Sequence, residues 1–229
     1  MKAKTHLKLL KKLTTQLSNM IFKICGLKNK ESLFCCEENN ADFFGMIFYE
    51  KSPRNITFNE AETLIIISKE MRIRPVGVFV DHEINDLKKI ISSLKLKYIQ
   101  LHGNEDQLYI NEIKKKFDVK IIKKISINNS EDLSEIEKFN NIEYLLFDYK
   151  PDNNELPGGN SKSFDWNLLK DQKIKLPWFI SGGINETNIK KIQNLLNPNG
   201  IDLSSGVEVS KGIKSNLKIN NLFKKFYDN

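Results

Sequence analysis

Eight short apolar runs, each followed by a longer amphipathic segment, occupy the chain from residue 21 to its C-terminal end. The runs cover 21–25, 43–48, 75–80, 97–101, 119–124, 144–148, 178–181 and 201–204, and are rich in Ile, Val and Phe. Helical patterns are expected at 29–38, 59–69, 84–94, 105–117, 130–139, a short stretch near 166, 185–195 and 217–226. Runs that are continuously apolar rather than alternating suit strands buried on both faces, as in a parallel sheet. Strict strand-then-helix order requires right-handed crossovers. Eight such units in 229 residues fit a closed barrel better than an open doubly wound sheet. The expected fold class is therefore α/β: a (βα)8 barrel of the TIM type, eight parallel strands in a single domain over residues 21–229.

Composition narrows the function classes. The net charge of +7 invites a nucleic-acid reading, yet residues 1–20 hold five lysines and no acidic residue, leaving +2 for the rest. Elsewhere lysines alternate with Glu and Asp along the expected helices, as on a solvated face, so no nucleic-acid partner is expected. Residues 1–20 are expected to form a basic extension outside the barrel, disordered or helical; translation from Met20 is the other reading. The segment lacks the long apolar region of a secretory signal and the arginines of a transit peptide. No run of about 18 apolar residues exists, so no membrane span is expected. The three cysteines, Cys25, Cys35 and Cys36, are odd in number and include an adjacent pair. They suit a reducing compartment, and the cytoplasm is the expected location. Cys35 and Cys36 fall on an expected helix as packing residues. His6, His82 and His102 are scattered, and no His/Cys cluster has metal-ligand spacing, so no metal site is expected.

In such barrels the chemistry sits on the loops after the C-terminal ends of the strands. The polar groups found there are Cys25, Gln100 with His102, Asp148, Ser181-Gly182-Gly183, and Asp202 with Ser204-Ser205-Gly206. Two Gly-containing loops after the seventh and eighth strands are where barrels bind phosphate through backbone N–H groups. Glycine admits the anion close to the backbone, and the Ser204 and Ser205 hydroxyls could add donors. Plain turn chemistry alone would explain one such loop; two at the two favoured places favour phosphate over turns. Arg54, after the second strand, reads either as a guanidinium fork for a carboxylate or as a solvated loop residue. Arg72 and Arg74 precede the third strand and belong at the opposite end. Cys25 alone could be a small buried apolar residue. Asp148, closing an apolar run, is costly to bury without a partner or a task. A thiol base and a carboxylic acid facing each other would suit proton abstraction beside a carbonyl or iminium carbon.

These strings together resemble the phosphoribosylanthranilate isomerase family. They run in order as K-I-C-G at 23–26, A-D-F-F-G at 41–45, K-S-P-R at 51–54, V-G-V-F-V at 76–80 and Q-L-H-G at 100–103. L-L-F-D at 145–148, F-D-W at 164–166, S-G-G at 181–183 and D-L-S-S-G-V-E at 202–208 complete the series. The resemblance implies an aldose–ketose isomerase of tryptophan biosynthesis. Such an enzyme converts N-(5-phosphoribosyl)anthranilate to 1-(2-carboxyphenylamino)-1-deoxyribulose 5-phosphate by an Amadori rearrangement. It implies Asp148 as general acid, Cys25 as general base and Arg54 as the holder of the anthranilate carboxylate. Gln100, His102 and Asp202 would line the pocket. Gly182, Gly183, Ser204, Ser205 and Gly206 would grip the phosphate. The resemblance implies no cofactor and a monomer or homodimer acting on a small molecule. With those roles a raised Asp148 pKa and a lowered Cys25 pKa are expected.

Three departures from the family pattern stand out. Residues 159–162 read G-N-S-K where many members carry G-T-G-K; Asn55 replaces a tyrosine common in some relatives; and residues 1–20 lie outside the pattern. Rival barrel enzymes fit less well. The histidine-pathway aminoaldose isomerase would place Asp at position 25, a pentulose-phosphate epimerase would want His and Asp metal ligands, and indole-glycerol-phosphate synthase catalytic Lys and Glu. A non-catalytic phosphate- or RNA-binding barrel would have no need to keep Cys25, Arg54 and Asp148 together.

Overall fold

The computed structural model describes residues 20–152 and 154–228. Eight strands form a closed parallel barrel in sequence order: β1 (Ile21–Cys25), β2 (Phe43–Phe48), β3 (Arg74–Phe79), β4 (Tyr98–Leu101), β5 (Lys120–Ile127), β6 (Tyr144–Tyr149), β7 (Trp178–Ile180) and β8 (Gly200–Leu203). The ring closes where β1 pairs with β8, with Lys23 opposite Asp202 and Ile24 opposite Leu203. The expected fold class is the observed one. The expected basic extension falls on residues outside those described, apart from Met20, which packs against the outer core.

Alternate strand positions point inward, because strand side chains have a period of two. At the N-terminal end of the barrel the interior is aromatic. The Phe43 ring lies 4.9 Å from Tyr98 and 6.3 Å from Phe179, and the Arg74 guanidinium caps it at 4.1 Å. Arg74 thus sits at the end away from the strand C-termini, as its place in the sequence requires. Above this layer Val76, Ile122 and Leu146 fill the middle. The outward positions form a second core with the surrounding helices, where Cys35 and Cys36 are buried packing residues.

Most helices appear where the apolar pattern puts them, with recognisable starts. Thr57 and Glu60 form a reciprocal capping box ahead of the helix Phe58–Ser68. Three differences matter. The segment expected as a helix at 130–139 is a 3-10 run, Ser130–Lys138, in which no residue is fully buried. Only Leu133 and Ile136 pack against the core, too little apolar stripe to reward a full α-helix. The helix expected at 185–195 begins only at Ile189. A small hairpin, β9 (Glu208–Ser210) with β10 (Ile213–Lys214), follows β8 where no strand was expected.

The aromatic plug fills the N-terminal end of the interior. Phe43→Ala is expected to lower the unfolding free energy by about 3–5 kcal/mol, as measured by denaturant titration. A loss below about 1 kcal/mol would mean that the ring is not packed as described.

Candidate active site

A cavity of about 820 Å³, part of it open to solvent, lies over the C-terminal ends of the strands. Cys25, Arg54, Gln100, His102, Asp148, Asp202 and the loops 181–183 and 204–206 all line it. Residues scattered over the sequence are thus brought to one rim by the shared polarity of the parallel strands.

Cys25 ends β1 with its side chain inside the barrel. Its neighbour in register is Gly45 of β2, and a Cβ at that position would come within 2.8 Å of the thiol sulfur. The glycine is what gives the sulfur its place. Two residues earlier on the same face, Lys23 is fully buried, and its Nζ donates to Asp202 Oδ1 at 2.9 Å. The expected lowering of the Cys25 pKa does not hold. Burial pushes the thiol up, and the Lys23 ammonium beside it only partly opposes that.

Asp148 is 8% exposed at the end of β6. Burial raises its pKa from 3.8 to about 6, against the pull of the Lys124 ammonium and the Tyr149 N–H that donates to Oδ1 at 2.8 Å. This matches the expected direction. Lys124, inside the barrel on β5, donates to the Pro157 carbonyl at 3.2 Å. His102 Nε2 lies 3.5 Å from Asp148 Oδ2. Burial, reinforced by the Lys124, Lys23 and Lys123 charges, holds His102 well below the ordinary imidazole range, so the ring is neutral. Gln100 Nε2 sits 2.8 Å from His102 Nδ1. If the amide donates there, the ring proton is on Nε2, facing Asp148.

Arg54 is buried, not solvated, and its fork is already engaged. Nε and Nη2 donate to the two oxygens of Glu208, each at 2.8 Å, and Nη2 also reaches Gly159 O at 3.2 Å. Glu208 takes a second cation, Lys214, at 2.6 Å. What Arg54 can offer an incoming carboxylate is the Nη1 edge, beside the loop 156–162 that also lines the cavity.

Gly182 and Gly183 both adopt left-handed backbone, with φ of +88° and +65°. The backbone there turns in a way that L side chains resist, and both residues line the cavity. The serines divide. Ser204 gives its hydroxyl proton to the Cys25 carbonyl at 3.2 Å, while Ser205 lines the cavity with no side-chain bond among the described residues. Ser181 donates to the Phe147 carbonyl at 2.9 Å. The expectation of two serine donors therefore reduces to Ser205 and backbone groups.

Sequence reasoning missed Lys23, Lys124 and Glu208. Lys23 had a usable signal, since position i−2 on a strand shares the face of Cys25. Glu208 closes the D-L-S-S-G-V-E string but suggested no task by itself. Among the described residues no group of three or more His, Cys, Asp and Glu is placed to hold a metal, and no helix is long and apolar enough to cross a membrane.

Residues 22–225 match the family model for N-(5'-phosphoribosyl)anthranilate isomerase. An N-(5'-phosphoribosyl)anthranilate isomerase of Zymomonas mobilis is 41% identical over 199 residues, covering 86% of this chain and 93% of that one. The crystal structure of phosphoribosyl anthranilate isomerase from Thermotoga maritima superposes with a TM-score of 0.81 at 29% identity, covering 90% and 98% of the two chains. A phosphoribosyl anthranilate isomerase solved with reduced 1-(o-carboxyphenylamino)-1-deoxyribulose 5-phosphate gives 0.78 at 27% identity, with the same coverage.

The Asp148 environment has a measurable consequence for stability. A carboxyl with a raised pKa holds its proton more tightly when folded, so its contribution is full below the unfolded value near 3.8 and is lost as pH rises through about 6. Asp148→Asn is therefore expected to be more stable than the parent at pH 8, by up to about 3 kcal/mol in denaturant unfolding. The two should converge toward pH 4. Equal stability at pH 8 would contradict the burial argument.

Proposed function

The chain belongs to the N-(5'-phosphoribosyl)anthranilate isomerase family, enzymes of tryptophan biosynthesis, and from that premise we propose that Cys25 and Asp148 are the base and acid of an Amadori rearrangement. The observation that carries the reading is that both side chains line one cavity together with the glycine loops after β7 and β8. The substrate is N-(5'-phosphoribosyl)anthranilate. Its phosphate binds between Gly182–Gly183 and Ser204–Gly206, where backbone N–H groups and the Ser205 hydroxyl supply donors. Its carboxylate meets the Nη1 edge of Arg54. Gln100, His102 and Asp202 line the space between.

The steps follow from where protons can go. Protonated Asp148 gives its proton to the furanose ring oxygen, and the ring C–O bond breaks to leave a Schiff base. Cys25, as thiolate, removes the C2′ proton to give an enolamine, which tautomerises to the ketone product. No step requires an electron acceptor or a second substrate.

The pH behaviour has an unusual assignment. With Asp148 near 6 and the Cys25 thiol pushed above its ordinary range, the stable arrangement at neutral pH is carboxylate plus thiol. The competent arrangement, carboxylic acid plus thiolate, holds the same number of protons and is the minor form. Its share stays constant between the two pKa values and falls outside them.

Accordingly, kcat/KM is expected to rise as pH passes about 6 and to fall again above the ordinary thiol range. A profile falling through pH 6 would contradict this. Cys25→Ala and Asp148→Asn should each reduce kcat by at least ~10²-fold in a fluorescence assay of substrate loss. Wild-type chain should restore growth to a tryptophan auxotroph lacking this isomerase. Growth restored equally by the Cys25→Ala/Asp148→Asn double variant would end the proposal.

A further inference from the structure

Lys23 is fully buried inside the barrel, yet it does not line the cavity. It sits under the floor, below Cys25 on the inward face of β1 and across the seam from Asp202 on β8. Taking an ammonium wholly out of water costs several kcal/mol unless its charge and donors are met. An ammonium has three N–H donors, and among the described residues Lys23 has one hydrogen-bond acceptor of full geometry, Asp202 Oδ1 at 2.9 Å. Cys25 stands next to it on the same face, with its sulfur held in position by the missing side chain of Gly45.

We propose that Lys23 is the positioning residue for Cys25: anchored by Asp202 beneath the cavity floor, its ammonium supplies the positive charge on which the thiolate rests. This deepens the reading of Cys25 as base and rests on it. The charge balance supports the idea. Lys23 and Asp202 cancel while Cys25 is a thiol, so losing the thiol proton gives the site one net negative charge beside an ammonium with donors to spare. The ionisable groups acting on Cys25 are Lys23 on its own strand, Asp202 on β8 and Lys214 on β10. Asp202 disfavours the thiolate, and Lys214 is committed to Glu208 at 2.6 Å. Of the two cations, Lys23 acts on the sulfur more strongly than Lys214. Burial works against its charge, but Asp202 and Cys25 together hold Lys23 above the ordinary lysine range. A purely structural role, as a cross-strand pair closing the barrel, needs Asp202 alone and makes Cys25 indifferent to Lys23.

The test follows two titrations in the full-length protein. Alkylation of Cys25 by iodoacetamide is timed by mass spectrometry across pH, and the Lys23 side-chain nitrogen is followed by NMR in ¹⁵N-lysine-labelled protein. The Lys23 resonance should move at the same midpoint as Cys25 alkylation, because coupling between two sites is reciprocal. In Lys23→Met the alkylation midpoint should rise by at least about one pH unit. Its kcat should fall at least ~10-fold over the whole pH range between the Asp148 and Cys25 midpoints, with the alkaline limb of the profile displaced upward along with the alkylation midpoint and KM little changed. Should that variant not fold, Lys23→Met/Asp202→Asn removes both charges and should raise the midpoint in the same sense. Coincident alkylation profiles in parent and folded variant, or a Lys23 resonance blind to Cys25, would overturn the proposal. Full activity in Cys25→Ser would instead remove Cys25 as base, while leaving the coupling intact if the two titrations still coincide.

Discussion

The pairing of β1 with β8 is the contact on which the rest of the upper barrel depends. It joins strands from opposite ends of the sequence and fixes Lys23 opposite Asp202. It also sets Ser204 on the Cys25 carbonyl at 3.2 Å. Without that closure the first and last strands would be edges, and thiol, ammonium and carboxylate would not share a floor. The helical crossovers make every strand point the same way, and closure gathers the polar residues that end the strands onto one rim.

The second constraint is charge in a dry interior. Lys23 with Asp202, Lys123 with Glu105, and Arg54 and Lys214 with Glu208 are all nearly inaccessible to water. Such pairs seldom stabilise more than apolar replacements of the same volume, but breaking one leaves a buried charge unmet. Their value here is geometric. Glu208 holds the Arg54 fork in one orientation, and Gly212 of the hairpin turn donates to Glu208 as well, at 3.2 Å. The hairpin therefore serves to fix which edge of the guanidinium faces the cavity. Burial is the largest cause of the displaced pKa values of Asp148 and Cys25, with the Asp202 charge adding to it, and both move in the direction of the neutral form.

Much of this was legible in the sequence, and the exceptions have physical causes. The eight apolar runs give the strands because burial on both faces demands them, and strand ends then locate Cys25, Gln100, Asp148 and Asp202. Lys124 was not legible as an interior group, and Lys23 only through its i−2 place on the face of Cys25, since a lysine in a strand otherwise reads as a solvated residue until its partner is known. The hairpin escaped because strands of three and two residues carry no periodic signal. Ser130–Lys138 has helical composition but little core to pack on, a fact of tertiary structure. The direction of the Cys25 shift depends on how much water reaches the sulfur, which no spacing of residues reports. The prior use of the Arg54 fork by Glu208 is likewise visible only once the chain is folded.

The central claim, that one bound phosphosugar lies between Cys25 and Asp148, is tested most directly by a crystal structure of this protein with reduced 1-(o-carboxyphenylamino)-1-deoxyribulose 5-phosphate. The account predicts the phosphate in the cradle of residues 182–183 and 204–206, with the thiol and the carboxyl on opposite sides of the sugar carbons. A phosphate bound elsewhere, or both groups on the same side of the ligand, would contradict it.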